Sequence, residues 1–186
     1  MRAARVTNND DHSDITDRFR RGDLTAFAEL YDRFALRLYR VAWRMLGNYG
    51  AAEDAVQEVF LALLKVGARL EKVEDVPAYL FCCLRRVVGR LRSQHERYQR
   101  LEHLAQRGPE NIALPLGSNG TIWSERVLQA LRRLPPEQEE VVILKIEGEL
   151  TFAEISMVLG ISANTAASRY RYALDKLRED LGAERE

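Results

Sequence analysis

The chain is poor in the residues that staple, ligate or attack. Its two cysteines, Cys82 and Cys83, are adjacent in an apolar run, which excludes both a disulfide framework and a CxxC metal or redox pair. They read as small helix residues. The three histidines, His12, His95 and His103, have no metal-ligand spacing, and neither cysteine has a base positioned near it in sequence. A Gly-rich phosphate loop is missing too. The expectation is a protein that is not an enzyme, with no metal and no cofactor. No stretch approaches the ~18 consecutive apolar residues that span a bilayer, and the opening MRAARVTNNDDHSD has no apolar core of the kind a signal peptide needs. A cytoplasmic protein without membrane insertion is expected. Net charge is also lacking, since 28 Lys+Arg balance 28 Asp+Glu, so bulk charge argues for no particular partner.

What is present is charge sorted by segment. Between positions 77 and 107 seven arginines (85, 86, 90, 92, 97, 100, 107) outnumber Glu96 and Glu102. Between 135 and 154 six glutamates (137, 139, 140, 147, 149, 154) outnumber Lys145, and from 163 to 178 basic residues again prevail, with Arg169, Arg171, Lys176 and Arg178 against Asp175. Alternating surfaces of opposite sign suit different partners for different parts of the chain. The acidic stretch reads either as repulsion that orients a basic helix toward DNA or as a soluble outer face.

Apolar spacing of 3 and 4 dominates and β-alternation is absent, so the fold class is all-α. At roughly 100–200 residues per domain, 186 residues allow two small units. A first helix is predicted from the N-cap Asp23, with Phe27, Leu30, Tyr31, Phe34, Leu38, Val41, Ala42 and Met45 on one stripe, ending at Gly47-Asn48-Tyr49-Gly50. A second is predicted from about Ala51 to near Gly67, burying Ala52, Val56, Val59, Phe60, Leu63 and Leu64. A third starts at Pro77, whose missing N–H has no partner in a first turn anyway, and turns Leu80, Cys83, Leu84, Val87 and Leu91 inward. Periodicity then collapses into QRGPENIALPLGSNGTI, a linker. Ser124 caps a further helix ending at Leu134, and Pro135-Pro136 restart another to about Glu147. The organisation is a disordered N-terminus (1–14), a helical domain (15–103), a flexible linker (104–122) and a smaller helical domain (123–182).

The sharpest local pattern lies in the last unit. Thr151 and Glu154 are spaced as a capping box, and the helix they open carries Ile155, Val158 and Leu159 to Gly160, a residue suited to a left-handed stop. Ser162 caps the next helix after a turn of about three or four residues, which is a helix-turn-helix. The second helix points Ala166, Tyr170, Ala173, Leu174 and Leu177 inward. Asn164, Ser168 and Arg171 lie outside, with Thr165, Arg169 and Tyr172 near the edges. Asn can read adenine, Arg can read guanine, and the small Ala163, Ala166 and Ala167 permit close approach to a groove.

Two blocks together resemble the extracytoplasmic-function (ECF) class of bacterial RNA polymerase sigma factors over almost the full length. AFAELYDRFALRLYRVAWRMLGNYGAAEDAVQEVFLALL (26–64) is similar to that family's region 2, and ALRRLPPEQEEVVILKIEGELTFAEISMVLGISANTAASRYRYALDKLREDL (130–181) to its region 4. The resemblance implies a subunit that binds core RNA polymerase, directs it to promoter DNA and assists melting. It implies that Glu53, Asp54, Gln57, Glu58 and Leu61 dock on the β′ clamp coiled coil. It implies that the helix from Pro77 reads the element about ten base pairs upstream of the start through Tyr79, Arg85, Arg86, Arg90 and Arg92. Tyr79 stands where the family usually has Trp, and Arg86 and Arg90 replace its common Asn and Asp, which favours a more electrostatic contact. The helix-turn-helix is implied to read the element about thirty-five base pairs upstream through Ser162, Asn164, Thr165, Ser168, Arg169, Arg171 and Lys176, with Arg169 and Lys176 on phosphates. Whichever of Val141, Val142, Ile146 and Leu150 is exposed would face the β flap.

The rival reading is a stand-alone helix-turn-helix regulator whose first unit dimerises or senses, which predicts specific DNA binding without polymerase. A third reading is a decoy that occupies polymerase without reading DNA. The linker favours the sigma reading, because about 20 flexible residues span ~25 Å on average and up to ~65 Å extended. In free solution the units can instead pack together and hide their DNA surfaces. The resemblance implies an anti-sigma factor holding that off state, and with no sensor extension expected after Leu181, control by a separate protein is the default.

Overall fold

In a computed structural model the structure describes residues 8–66, 73, 75–104 and 123–182. Among them are eight helices and no strand: α1 (Asn8–Arg20), α2 (Leu24–Leu46), α3 (Tyr49–Val66), α4 (Val76–Leu104), α5 (Glu125–Arg132), α6 (Pro136–Ile146), α7 (Phe152–Leu159) and α8 (Ala163–Gly182). The all-α expectation holds. The linker expected at 104–122 lies outside the described residues apart from Leu104, the last residue of α4.

Helix ends follow local chemistry. The Asp23 carboxylate accepts from the Thr25 hydroxyl and backbone N–H, which hold it down at about 2, and Gly47 stops α2 with φ 66°. The Asn48 side chain accepts from Ala51 N at 2.9 Å, so α3 opens at Tyr49, slightly ahead of expectation. Asp75 caps α4 by accepting from Ala78 N at 2.8 Å, with Pro77 in the first turn. Ser124 caps α5, which ends at Arg132 rather than Leu134.

The region expected to be disordered at 1–14 needs correction, because α1 opens at Asn8; residues 1–7 lie outside the description. This helix is easily missed, since its sequence is mostly polar. It is anchored by Ile15 and Phe19, both buried, and by Arg18, which pairs with Asp23 at 3.0 Å and Glu29 at 2.9 Å.

Helices α1 to α4 enclose a core of Leu30, Phe34, Leu38, Val59, Phe60, Leu63, Leu80 and Leu84. Tyr31 and Leu64, expected inside, are exposed, and the Tyr31 ring lies on Phe60 with centroids 4.7 Å apart. On α4, Cys83 and Leu91 are only half-buried, whereas Phe81 and Val88 are buried. The reason is that α4 is packed on two sides, by α2 and α3 and by α7. Helices α5 to α8 have their own core of Trp123, Leu131, Leu134, Val142, Ala173 and Leu177. Val141, Ile143, Leu144, Leu150, Ile155 and Ala166 belong instead to the core shared with the first four helices.

Candidate polymerase and DNA interfaces

Helix α3 presents Glu53, Asp54, Gln57 and Leu61 to solvent, with Leu61 55% exposed. Its buried stripe of Ala52, Ala55, Val56, Val59 and Phe60 forces these residues outward. Glu58 lies on the same side but is tied to Arg90 of α4 by an ion pair.

The arginines of α4 split between two flanks. Arg90 meets Glu58 of α3, while Arg85 and Arg92 face α6. Arg85 Nε pairs with Glu140 at 2.8 Å, and Arg92 Nε donates to the Met45 carbonyl at 2.8 Å near the end of α2. Together Arg85 and Arg92 line a cleft of about 370 Å³ whose opposite wall is Glu137, Glu139 and Glu140 over Ile143. Burial pushes the Glu139 carboxyl up, opposed by Arg92 and Arg132. Arg86 is exposed, and Tyr79 is half-buried. Desolvation, reinforced by a hydrogen bond with Cys83, raises the Tyr79 phenol to about 12. Cys82 Sγ contacts the Met157 carbonyl of α7 at 3.7 Å, and burial pushes this thiol up as well.

The helix-turn-helix forms as its sequence dictates. Thr151 N donates to Glu154 at 2.6 Å and Glu154 N to Thr151 Oγ1 at 3.2 Å, which closes the capping box, and Gly160 takes φ 67°. Ser162 Oγ accepts from Thr165 N at 3.0 Å, so this hydroxyl starts α8 as well as facing outward. Asn164, Thr165, Arg171 and Lys176 are exposed, and Ser168 and Arg169 half-buried. The Arg171 guanidinium lies 5.4 Å from the Tyr172 ring centroid. Of the four apolar residues before the motif, whose division the sequence left open, Val141, Val142 and Leu150 are fully buried in the core; Ile146 alone among them is exposed, at 37%.

A contact with no local sequence signal joins the two halves. The turn after α6, Glu147 to Leu150, plugs into α2 and α4. Glu147, 2% exposed, receives Arg44 Nε at 2.9 Å, and the Arg44 guanidinium lies 4.5 Å from the Trp43 ring centroid and 5.1 Å from that of Trp123. Arg37 Nε donates to the Gly148 carbonyl at 2.9 Å while facing Phe34 and Phe81. Burial lowers the Arg37 pKa, partly offset by Glu149 and Glu154. A Cβ on Gly148 would sit 2.6 Å from the Leu144 carbonyl oxygen and 3.2 Å from Phe81, so only glycine fits. Glu149 adopts φ 53°, a left-handed conformation unusual for a side-chain-bearing residue. The acidic stretch is therefore neither an idle soluble face nor only a repulsive one: Glu140, Glu147 and Glu149 reach Arg85, Arg44 and Arg37 of the first unit.

The sigma-70 region 2 family model matches residues 30–98, and the sigma-70 region 4 model matches residues 124–177. The chain belongs to the sigma-70 family of RNA polymerase sigma factors, in its ECF class. It is 33% identical over 172 residues to the RNA polymerase sigma factor CarQ of Myxococcus xanthus, covering 89% of this chain and 95% of that one. To the ECF RNA polymerase sigma factor SigK of Mycobacterium ulcerans (strain Agy99) it is 29% identical over 179 residues, covering 94% and 96%. Two solved structures share the fold: the sigma factor RpoE in complex with the anti-sigma factor NepR from Bartonella quintana, with TM-score 0.66, 21% identity and coverage of 86% and 98%. The other is CnrH in complex with the cytosolic domain of CnrY, with TM-score 0.65, 24% identity and coverage of 91% and 96%. This sigma factor binds core RNA polymerase and takes it to specific promoters to initiate transcription; the stand-alone regulator is not favoured. No described helix is long and apolar enough to cross a membrane.

Proposed function

We propose that each surface has a separate task in initiation. Region 2 spans 15–103, extended at its front by α1, region 4 spans 123–182, and 104–122 connects them. Glu53, Asp54, Gln57, Glu58 and Leu61 on α3 dock on the β′ clamp coiled coil. The observation that carries this reading is an acidic, Leu-bearing face that stays exposed opposite the buried stripe of α3. Tyr79, Arg85, Arg86, Arg90 and Arg92 hold the upstream part of the −10 element and assist melting, with the arginines on phosphates and Tyr79 available to stack on an unpaired base. Ser162, Asn164, Thr165, Ser168, Arg169, Arg171 and Lys176 read the −35 element from α8. Ile146 contributes to the β-flap contact.

Affinity for a promoter comes from tethering two weak readers on one polymerase, which raises the effective concentration of the second once the first is bound. The protein acts in the cytoplasm, and an anti-sigma factor controls it; both structural neighbours were solved with such an inhibitor or with a cytosolic domain of another protein. The test is co-purification with core polymerase. Asp54→Arg combined with Glu53→Arg is expected to abolish the complex while leaving helicity unchanged. Retention of full polymerase binding by that variant overturns the α3 assignment.

A further inference from the structure

The corner where α1 ends carries three arginines, and two of them are fully engaged. Arg18 pairs with Asp23 at 3.0 Å and with Glu29 at 2.9 Å, and its Nη2 donates to Thr25 Oγ1 at 2.8 Å. Arg20 Nη1 pairs with Asp17 at 2.6 Å, while its Nη2 donates to the carbonyl of Val73, a residue 53 positions away. Val73 stands just ahead of α4, and Asp75, which caps that helix, accepts from Tyr79 N at 3.0 Å through its own carbonyl. Arg20 therefore ties the end of α1 to the end of α4 that carries Tyr79. Arg21 differs from its neighbours. It is exposed and has no ion pair or side-chain hydrogen bond among the described residues. Its place is nonetheless fixed, because Arg21 N, Gly22 N and Asp23 N donate to the Asp17, Phe19 and Arg18 carbonyls at 3.2, 2.9 and 3.1 Å, and Gly22 turns the chain with φ 85°. An exposed cation without a partner, held on a tightly bonded turn, is preorganised to meet a phosphate.

We infer that this corner of α1 belongs to the −10 DNA interface: Arg21 is a further phosphate contact beside the start of α4, and Arg20 is the positioning residue that keeps it there through the Val73 carbonyl. The proposal rests on the reading of α4 as the −10 helix. Within α4 no basic residue precedes Arg85, so the turns around Tyr79 offer a platform for a base with no cation of their own. A strand stacked on Tyr79 has a phosphate on either side of the stacked base, and the one farther from Arg85 needs a partner from another element. The end of α1 supplies it. Such a contact carries no sequence information; it sets the register of the strand on the residues that read it. Arg20 suits positioning rather than binding because its fork is already taken, on one side by a carboxylate and on the other by a carbonyl.

The experiment uses holoenzyme assembled from the full-length chain and purified bacterial core polymerase. Its probe is a fluorescein-labelled promoter fragment that the wild-type holoenzyme transcribes, with the −10 non-template strand left unpaired. Affinity is followed by anisotropy from about 50 to about 200 mM salt. Arg21→Gln is expected to weaken binding roughly tenfold, the size of one charge-assisted hydrogen bond, and to flatten the slope of log K against log salt by about 0.7, the share of one phosphate on a single strand. Its melting temperature and its affinity for core polymerase are expected to match wild type. Arg20→Gln is expected to flatten the slope by the same amount and to add nothing when combined with Arg21→Gln, because it acts through that residue. A role confined to holding α1 in place would lower the melting temperature and leave the slope alone. Should Arg20→Gln lose helicity by circular dichroism, Arg20→Lys takes its place with the same expected slope, since it keeps the charge but cannot bridge Asp17 and Val73 together. A wild-type slope in Arg21→Gln overturns the proposal, and so do Arg20 and Arg21 effects that simply add. Arg86→Gln, at an exposed position of α4, separates this failure from that of the underlying reading. A flattened slope there beside an unchanged one in Arg21→Gln overturns this proposal alone, whereas a wild-type slope in both brings down the −10 reading of α4 with it.

Discussion

At the residue scale, Gly148 decides how closely the two units approach. Its missing Cβ leaves room for Phe81 on one side and for the Leu144 carbonyl on the other, and the backbone partner cannot move without unwinding the end of α6. Gly148→Ala is predicted to cost about 1–3 kcal/mol in chemical denaturation through overpacking. Gly89 is the useful contrast, since nothing lies within 4 Å of a Cβ there. Gly89→Ala should raise stability by about 0.5–1 kcal/mol through helix propensity, and it should weaken −10 DNA if the duplex approaches that strip closely. The contacts of Arg37 with Gly148 and of Arg44 with Glu147 were not legible in the sequence. Arg37 and Arg44 have no local pattern that marks them, and the positions they meet lie more than a hundred residues away. The opposed charge of 77–107 and 135–154 bears only on the Arg85–Glu140 pair.

At the scale of elements, the helices that bury a single apolar stripe were the ones most readable. Helix α2 has a single apolar stripe between an Asp cap and a Gly stop, and its core residues Leu30, Phe34, Leu38, Val41, Ala42 and Met45 follow directly from spacing. Helix α4 has two packed flanks, so a one-stripe reading finds Leu80 and Leu84 and overlooks Phe81 and Val88. Helix α1 fails for the opposite reason, having too few apolar residues to show a period while Arg18 and the buried Ile15 and Phe19 hold it. The helix-turn-helix was legible because its determinants are local: Thr151, Glu154, Gly160 and Ser162 act within a few residues of themselves. Thr151→Ala is predicted to destabilise the protein by about 1 kcal/mol, read by thermal melting, and to weaken −35 recognition through a displaced α7. At the proposed flap surface, where burial has removed three of the four candidates, Ile146→Glu should leave the melting temperature unchanged and lower transcription from a −35-dependent promoter.

At the scale of the whole molecule, the two units meet along one seam. The seam combines buried apolar contacts with arginine–glutamate pairs, which are orientation-specific and replaceable by other anions or cations, as a reversible joint requires. One apolar cluster runs through the seam, joining Leu80, Phe81 and Leu84 to Ile143, Leu144, Leu150 and Ile155, and the second unit adds a smaller core of its own. The central claim is that these units work as one promoter-reading subunit of polymerase. The most direct measurement is transcription by purified bacterial core polymerase over a library of promoter fragments, with and without this protein, mapping the 5′ ends of the products. Defined starts are predicted only in its presence, preceded by two sequence elements at fixed spacing, lost with Asp54→Arg and altered at the upstream element by Asn164→Ala or Arg171→Ala. An absence of starts, together with tight sequence-specific binding of the same fragments by the protein alone, would contradict the account.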